Sequence, residues 1–154
     1  MHRARDAALD PPLTGAGLII PALTVHDDPP AKFKDELRSL AQNANAPVLG
    51  SAHIDRFMGE YRPVKGDPLH DTLSAERFDG LPPIFLQVCG ADPLRDEALI
   101  YERLVREAGG RTKLQVYPGV PHAFWSVWPV WDKSKKFVNE TTEGVGWLLE
   151  QGKK

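Results

Sequence analysis

The pattern of apolar and polar residues is clearest in the second half of the chain, where it predicts a strand, a helix and another strand. Residues Ile84–Cys89 are almost entirely apolar and lie between a proline pair and a glycine, as expected of a buried strand. A helix is predicted to start at Asp92, because an N-cap acceptor followed by proline precedes apolar residues at helical spacing, and to end at a glycine pair. Residues 112–117 then alternate between apolar and polar types and predict a more exposed strand.

The remainder of the chain predicts one further strand and several helices. The run Gly15–Leu23 is apolar without alternation, so a strand buried on both faces is predicted, ending near Ile20 because proline follows. Amphipathic helices are predicted over 51–61, with Ser51 as N-cap, and over 132–151, and shorter ones around 1–9 and 33–42. The predicted inner faces are, in the first helix, Ile54, Phe57, Met58 and Tyr61 and, in the last helix, Phe137, Thr141, Val145 and Leu148.

Three strands separated by helical segments predict an α/β fold with a mostly parallel sheet, in one domain covering residues 1–154. The formal net charge is −2 with both signs interspersed, so no nucleic-acid partner is expected. The longest apolar runs have strand length, so no membrane span is expected. The lone cysteine, Cys89, and a charged N-terminus without a signal-peptide pattern predict a cytoplasmic location.

Asp92 and His122 are the residues that best fit a chemical role. Each lies just beyond the end of a predicted strand, and parallel sheets bring their working groups together at the carboxyl ends of strands. A carboxylate beside an imidazole fixes the histidine tautomer and stabilises the imidazolium formed during proton transfer. Spacing alone leaves two other interpretations open, a helix cap for Asp92 and a surface histidine for His122.

Three segments then carry a resemblance to a known family. They are Leu-Pro-Pro-Ile-Phe at 81–85, Gly-Ala-Asp-Pro-Leu-Arg-Asp-Glu at 90–97, and Val-Tyr-Pro-Gly-Val-Pro-His-Ala-Phe at 116–124. Together they closely resemble the hormone-sensitive-lipase-like branch of α/β-hydrolase-fold esterases, and the weaker likeness of 11–15, 55–61 and 67–71 extends it over most of the chain. The resemblance implies a partial α/β-hydrolase fold, a small-molecule ester as substrate of the complete enzyme, Asp92 as the acid of a Ser-His-Asp triad and His122 as its base.

The family's nucleophile and oxyanion segments do not occur in this sequence. Neither Gly-x-Ser-x-Gly nor His-Gly-Gly-Gly is present, and if residues 1–9 are the end of the nucleophile helix, the serine would precede Met1. Ser51 precedes both candidates but has no elbow signature. Cys89 is interpreted as a small core residue. Activity of the chain alone is therefore expected to be near zero, which favours the C-terminal part of a truncated hydrolase domain.

Other candidate features are weaker. The histidines lack metal-ligand spacing and no phosphate-binding glycine loop occurs, so neither a metal nor a cofactor is expected. The acidic pairs Asp27-Asp28 and Asp96-Glu97 are interpreted as solvated charge. An aromatic cluster after the histidine would either line an acyl pocket or pack the last helix; its members are Phe124, Trp125, Trp128 and Trp131.

Two alternatives to an esterase remain open. The chain could be a non-catalytic binding or interaction module, or a truncated gene product, derived from a hydrolase. Because three strands would leave one sheet edge and apolar helix faces uncovered, self-association or a partner chain is expected in that case. The related serine-peptidase and dienelactone-hydrolase branches also end in acid and then histidine, but the segment at 92–97 argues against them.

Overall fold

The computed structural model describes residues 1–26, 28–67 and 69–152 and has a parallel sheet at its centre. Its strands are β1 (Ala16–Ile19), β2 (Ile84–Cys89) and β3 (Thr112–Tyr117), which lie in the order β1-β2-β3. Both pairings are parallel, and Leu86 of β2 is the partner of a leucine on either side. The predicted α/β class and the three parallel strands are confirmed.

The helices surround this sheet. In chain order they are α1 (His2–Asp6), α2 (Ser39–Gln42), α3 (Ser51–Tyr61), α4 (Arg95–Glu107), α5 (Phe124–Val127) and α6 (Asp132–Gln151), with 3-10 turns at Ala31–Phe33 and Thr72–Ser74. The predicted bounds of α3 and α6 are confirmed, whereas the helix predicted over 33–42 is divided between a 3-10 turn and α2. No helix among the described residues is long and apolar enough to cross a membrane.

The start of α4 differs from the prediction. The helix begins at Arg95, with Leu94 as its N-cap, rather than at Asp92. One carboxylate oxygen of Asp92, Oδ1, accepts a 2.9 Å hydrogen bond from the Leu94 backbone N–H, which forms a turn before the helix. Asp92 therefore lies three residues before the first helical residue, and its second oxygen is left for another partner.

Strand β2 is the centre of the core because it has a strand on each side and a helix against each face. All six of its residues are buried. Ile84 and Leu86 belong to the cluster that contains Tyr101 of α4, whereas Cys89 belongs to the cluster that contains Phe137 of α6. Alternation along the strand thus separates the α4 face of the sheet from the α6 face.

Strand β1 lies at an open edge, as expected of a sheet with these three strands, but none of its four residues is buried, which corrects the expectation of a strand buried on both faces. Its only sheet neighbour in the described part of the chain is β2, and Gly17 is exposed. The Ala16 N–H donates to Pro83 and the Ile20 N–H to Gln87, each at 2.9 Å. In a parallel ladder, alternate residues direct their backbone N–H and C=O groups to opposite sides. The backbone groups of Gly17 and Ile19 therefore face the open edge and not β2.

Helix α6 packs on the sheet through a face that differs from the predicted one at a single position. Val145 was expected to be buried, but its side chain is 47% exposed, while Gly144 is buried. A β-carbon at position 144 would overlap the ring of Phe85 on β2. The absence of a side chain at Gly144 therefore permits the close approach of α6 to the sheet, a reason that periodicity of apolar residues does not reveal.

Candidate active site

The loops that follow β2 and β3 are hydrogen-bonded to each other at the carboxyl end of the sheet. The Gly90 N–H donates to the Tyr117 carbonyl at 2.8 Å, and the Ala91 N–H donates to the Val120 carbonyl at 3.0 Å. A β-carbon at position 90 would lie only 3.0 Å from the Gly119 nitrogen and from Pro118 Cα. Glycine at position 90 thus lets the two loops approach, and each loop carries one of the two candidate residues.

Asp92 and His122 are in direct contact. The distance from Asp92 Oδ2 to His122 Nδ1 is 2.8 Å. A carboxylate can only accept, so Nδ1–H is the donor, and Nε2 of His122 is left without a proton in the neutral ring. The Asp92 side chain is 2% exposed and that of His122 is 21% exposed. The structure thus brings together the two residues predicted from the sequence, with the carboxylate buried and the imidazole accessible.

The segment after His122 is fixed by aromatic packing. Ala123 adopts a left-handed conformation, with φ of 52°, which turns the chain from the histidine loop into α5. Phe124 is completely buried and contacts Tyr117 and Phe137 at ring-centroid distances of 6.2 and 5.5 Å. This anchor limits the movement of the neighbouring imidazole.

An apolar cleft of about 300 Å³ lies beside His122. Its other lining residues are Ile20, Ala22, His26, Leu49, Ile54, Phe57, Met58 and Leu94. The cleft wall is formed by the loop after β1, by α3 and by the segment before α4. The local sequence pattern does not distinguish the loop residues or Leu49 from positions without a role in a cleft, so they were not predicted.

Helix α3 shows only part of the predicted inner face. Ile54 is buried, but the side chains of Phe57 and Tyr61 are each 58% exposed. Phe57 instead lines the open cleft beside His122. The predicted N-cap is also displaced by one residue, since Gly50 is the N-cap and Ser51 is the first helical residue. The Ser51 hydroxyl donates to the Ala44 carbonyl at 3.4 Å.

The aromatic cluster divides into two pairs, neither of which lines the cleft at His122. Trp125 stacks on Phe137 at 3.8 Å, so Phe124 and Trp125 pack against α6. Trp128 and Trp131 are 42% and 41% exposed. They line a separate open hollow of about 520 Å³ together with Pro47, Pro121 and Val130. The packing interpretation therefore holds for the first pair, and the second pair contributes an exposed apolar surface.

The acidic pair at the start of α4 is not solvated, contrary to the expectation. Asp96 Oδ2 accepts from the backbone N–H groups of Arg38 and Ser39 at 2.8 and 2.6 Å. Glu97 is 1% exposed and anchors another loop in the same way. Both carboxyl groups accept from backbone donors of the segment between β1 and β2, a long-range role that local sequence cannot show. Of the other pair, Asp28 is exposed and Asp27 lies outside the described residues.

The carboxyl group of Glu97 is in an environment that favours its protonated form. Burial raises its pKa well above the usual value, and the nearby Asp92 and Asp71 carboxylates raise it further. Hydrogen bonds from two backbone N–H groups act in the opposite direction. His26 Nε2 lies 3.7 Å from Glu97 Oε1.

Cys89 and possible metal ligands are the remaining features that the sequence analysis considered. Cys89 is buried in β2, and burial together with the Asp92 charge raises the pKa of its thiol to about 12, so it packs as a neutral core residue. Across residues 1–26, 28–67 and 69–152, no group of three His, Cys, Asp or Glu side chains could hold a metal ion.

Comparison with known proteins shows the family. A family model described as an alpha/beta hydrolase fold matches residues 1–126. An AB hydrolase superfamily protein of Schizosaccharomyces pombe is 38% identical over 154 residues, which are 99% of this chain and 45% of the relative. The versiconal hemiacetal acetate esterase of Dothistroma septosporum is 34% identical over 151 residues, 97% of this chain and 46% of the relative.

A solved structure agrees with these matches. The crystal structure of vibralactone cyclase superposes with a TM-score of 0.94 at 36% identity, covering 99% of this chain and 46% of that chain. This chain thus spans about half the length of the relatives it matches. Its relatives include esterases, as the motifs at 90–97 and 116–124 predicted. The chain belongs to the alpha/beta hydrolase fold family.

Proposed function

We propose that this chain supplies the acid and the general base of a serine-dependent carboxylic ester hydrolase, with Asp92 as the acid and His122 as the base. The contact of 2.8 Å between Asp92 Oδ2 and His122 Nδ1 is the observation that carries the proposal. A buried carboxylate, a partly exposed imidazole and an apolar cleft beside it are the features such chemistry requires.

The proposed reaction follows from which ring nitrogen is protonated. With Nδ1–H donated to Asp92, Nε2 of His122 accepts the proton of the attacking serine hydroxyl, and the resulting imidazolium is stabilised by the carboxylate. The same nitrogen then returns the proton to the leaving alcohol, and a water molecule repeats the cycle on the acyl-enzyme. A small carboxylic ester with an apolar portion fits the cleft.

The nucleophile and the oxyanion donors would have to come from residues outside this sequence. It contains neither Gly-x-Ser-x-Gly nor His-Gly-Gly-Gly. Oxyanion donors supply the largest single contribution to many acyl transfers, so the 154-residue chain alone is proposed to have almost no ester turnover.

Labelling of the chain tests this proposal directly. Treatment with a serine-reactive fluorophosphonate, read by intact mass, is expected to leave the chain unlabelled, and a short-chain nitrophenyl ester should not be hydrolysed above background. Denatured chain serves as the control for nonspecific reaction. Labelling and turnover that both disappear in His122→Ala would reveal a surrogate nucleophile such as Ser51 and overturn the proposal of inactivity.

The roles of Asp92 and His122 are tested in a complete domain. A chimera that joins the upstream part of the Schizosaccharomyces pombe relative to this chain would supply the missing half, since the match covers 99% of this chain and 45% of the relative. Ester turnover by the chimera is expected. A folded chimera that turns over esters without requiring His122 would contradict the assignment.

A second candidate function is that of a non-catalytic interaction module. It is favoured by the open edge of β1 and by the exposed hollow at Trp128 and Trp131. Unpaired strand edges and apolar patches of this kind are typical sites of association between chains. Self-association, or a partner chain, is accordingly proposed.

A reducing compartment such as the cytoplasm is also proposed, because Cys89 is buried as a free thiol.

Self-association is expected to be visible by light scattering. The purified chain should show a mass above the 17.1 kDa of a monomer. Gly17→Lys places a charged side chain on the open edge strand and is expected to lower the apparent mass. Gly59→Lys is the matched control, because nothing lies within 4 Å of a β-carbon there. A monodisperse monomer for the unmodified chain would contradict this expectation.

A further inference from the structure

The loop that follows β1 forms one wall of the cleft beside His122. Ile20, Ala22 and His26 line the cleft, whereas the backbone between them is turned inward, with Leu23 and Thr24 buried. The position of this wall relative to the imidazole therefore depends on what holds the inward-facing part of the loop.

A single carboxyl group holds that part. Glu97 Oε2 accepts hydrogen bonds from the backbone N–H groups of Leu23 and Thr24, both at 2.8 Å. Glu97 Oε1 is 3.7 Å from Nε2 of His26, which itself lines the cleft. Two hydrogen bonds from adjacent loop residues thus converge on one side chain of α4, and His26 lies close to the same carboxyl group.

The same stretch of chain also carries Asp92. From Asp92 to Glu97 the chain first contacts His122 and then fixes the loop opposite it. Placing a carboxyl group in the interior is costly unless its oxygens are hydrogen-bonded, and apolar packing of Leu23 alone would not fix the loop along its length. Residues 92–97 therefore carry both the contact to His122 and the contact to the loop after β1.

We propose that Glu97 is the positioning residue of this cleft: its carboxyl group holds the loop after β1 so that Ile20 and His26 stand at a defined distance from His122. This inference rests on the proposed function only in taking the cleft as an ester-binding site. Glu97 does not contact the reacting atoms; it acts through the loop.

Nuclear magnetic resonance on the 154-residue chain tests the proposal without any need for ester turnover. In the unmodified protein the Leu23 and Thr24 amide hydrogens are expected to exchange as slowly as those in the middle of α4. Exchange as fast as that of exposed loop amides would overturn the proposal before any variant is made.

Variants then separate positioning from general stability. Glu97→Asp keeps the carboxyl group but shortens it by one methylene, so it should speed exchange at Leu23 and Thr24 about tenfold or more and shift the Ile20 methyl and His122 ring resonances. Glu97→Gln keeps an acceptor oxygen at the same distance from the backbone. Its amide exchange rates and its Ile20 and His122 resonances should therefore match those of the unmodified protein. Glu102→Asp is the matched control, being buried on α4 but bonded to Thr112 of β3.

Binding of ethyl butyrate provides the functional readout. Its affinity is expected to fall about tenfold in Glu97→Asp and to change less than about twofold in the other two variants. Unchanged Ile20 and His122 resonances in Glu97→Asp would overturn the proposal, and so would an equal effect of Glu102→Asp. If the unmodified chain does not bind the ester, the proposed function fails at the cleft, while the resonances still decide the role of Glu97.

Discussion

Asp92→Asn in the complete chimeric domain is expected to lower kcat for a short-chain ester by about 10⁴-fold, and His122→Ala by roughly as much. The neutral amide cannot stabilise the imidazolium as the carboxylate does across 2.8 Å, and its NH2 group can donate to Nδ1, which no longer holds the imidazole in the reactive tautomer. Steady-state kinetics on purified chimera measures the effect, and KM should change much less than kcat.

The effects of these two substitutions should not add. Both residues act as one unit, so the double variant is expected to be about as slow as His122→Ala alone. Asp28→Asn is a suitable control, because Asp28 is exposed and lies outside the cleft lining. Near-normal turnover in Asp92→Asn would show that the contact is structural and remove Asp92 from the proposed mechanism.

Gly144→Ala is expected to destabilise the fold by about 1–3 kcal/mol or more, because the added methyl group would overlap the Phe85 ring. Gly146→Ala lies two residues further along the same helix, where nothing is within 4 Å of a β-carbon. Alanine is the better helix former, so this second change should stabilise by up to about 1 kcal/mol.

If the free energy of unfolding falls in Gly144→Ala and rises in Gly146→Ala, then helix–sheet contact, and not helix propensity, is the reason for glycine at position 144. Urea unfolding followed by circular dichroism measures both free energies of unfolding. A stabilising Gly144→Ala would mean that α6 lies further from β2 than the structure shows.

The sequence predicted those parts of the fold whose causes are local. Strand β2 follows from an apolar run between proline and glycine, and the bounds of α3 and α6 follow from helical periodicity. The contact between Asp92 and His122 was predictable because both follow neighbouring parallel strands, and the family motifs identified the same residues. The sequence lacks the elbow motif, and the chain spans about half the length of the relatives it matches.

The features that the sequence did not predict depend on distant contacts. Asp96 and Glu97 looked like solvent-exposed charge at a helix start, but their partners are backbone groups more than fifty residues away in the chain. Burial of Gly144 depends on the Phe85 ring, which is equally distant in the chain. Periodicity reports the average face of an element and contains no information on these individual partners.

The placement of Asp92 and His122 on adjacent strand ends also bears on how such domains can be divided in evolution. The two residues lie within the stretch from β2 to α5, and the two loops that carry them are hydrogen-bonded to each other. A gene break anywhere before β2 would leave this stretch continuous in sequence. The proposed acid–base pair would then travel on one continuous segment, whose two loops are already held together by their own hydrogen bonds.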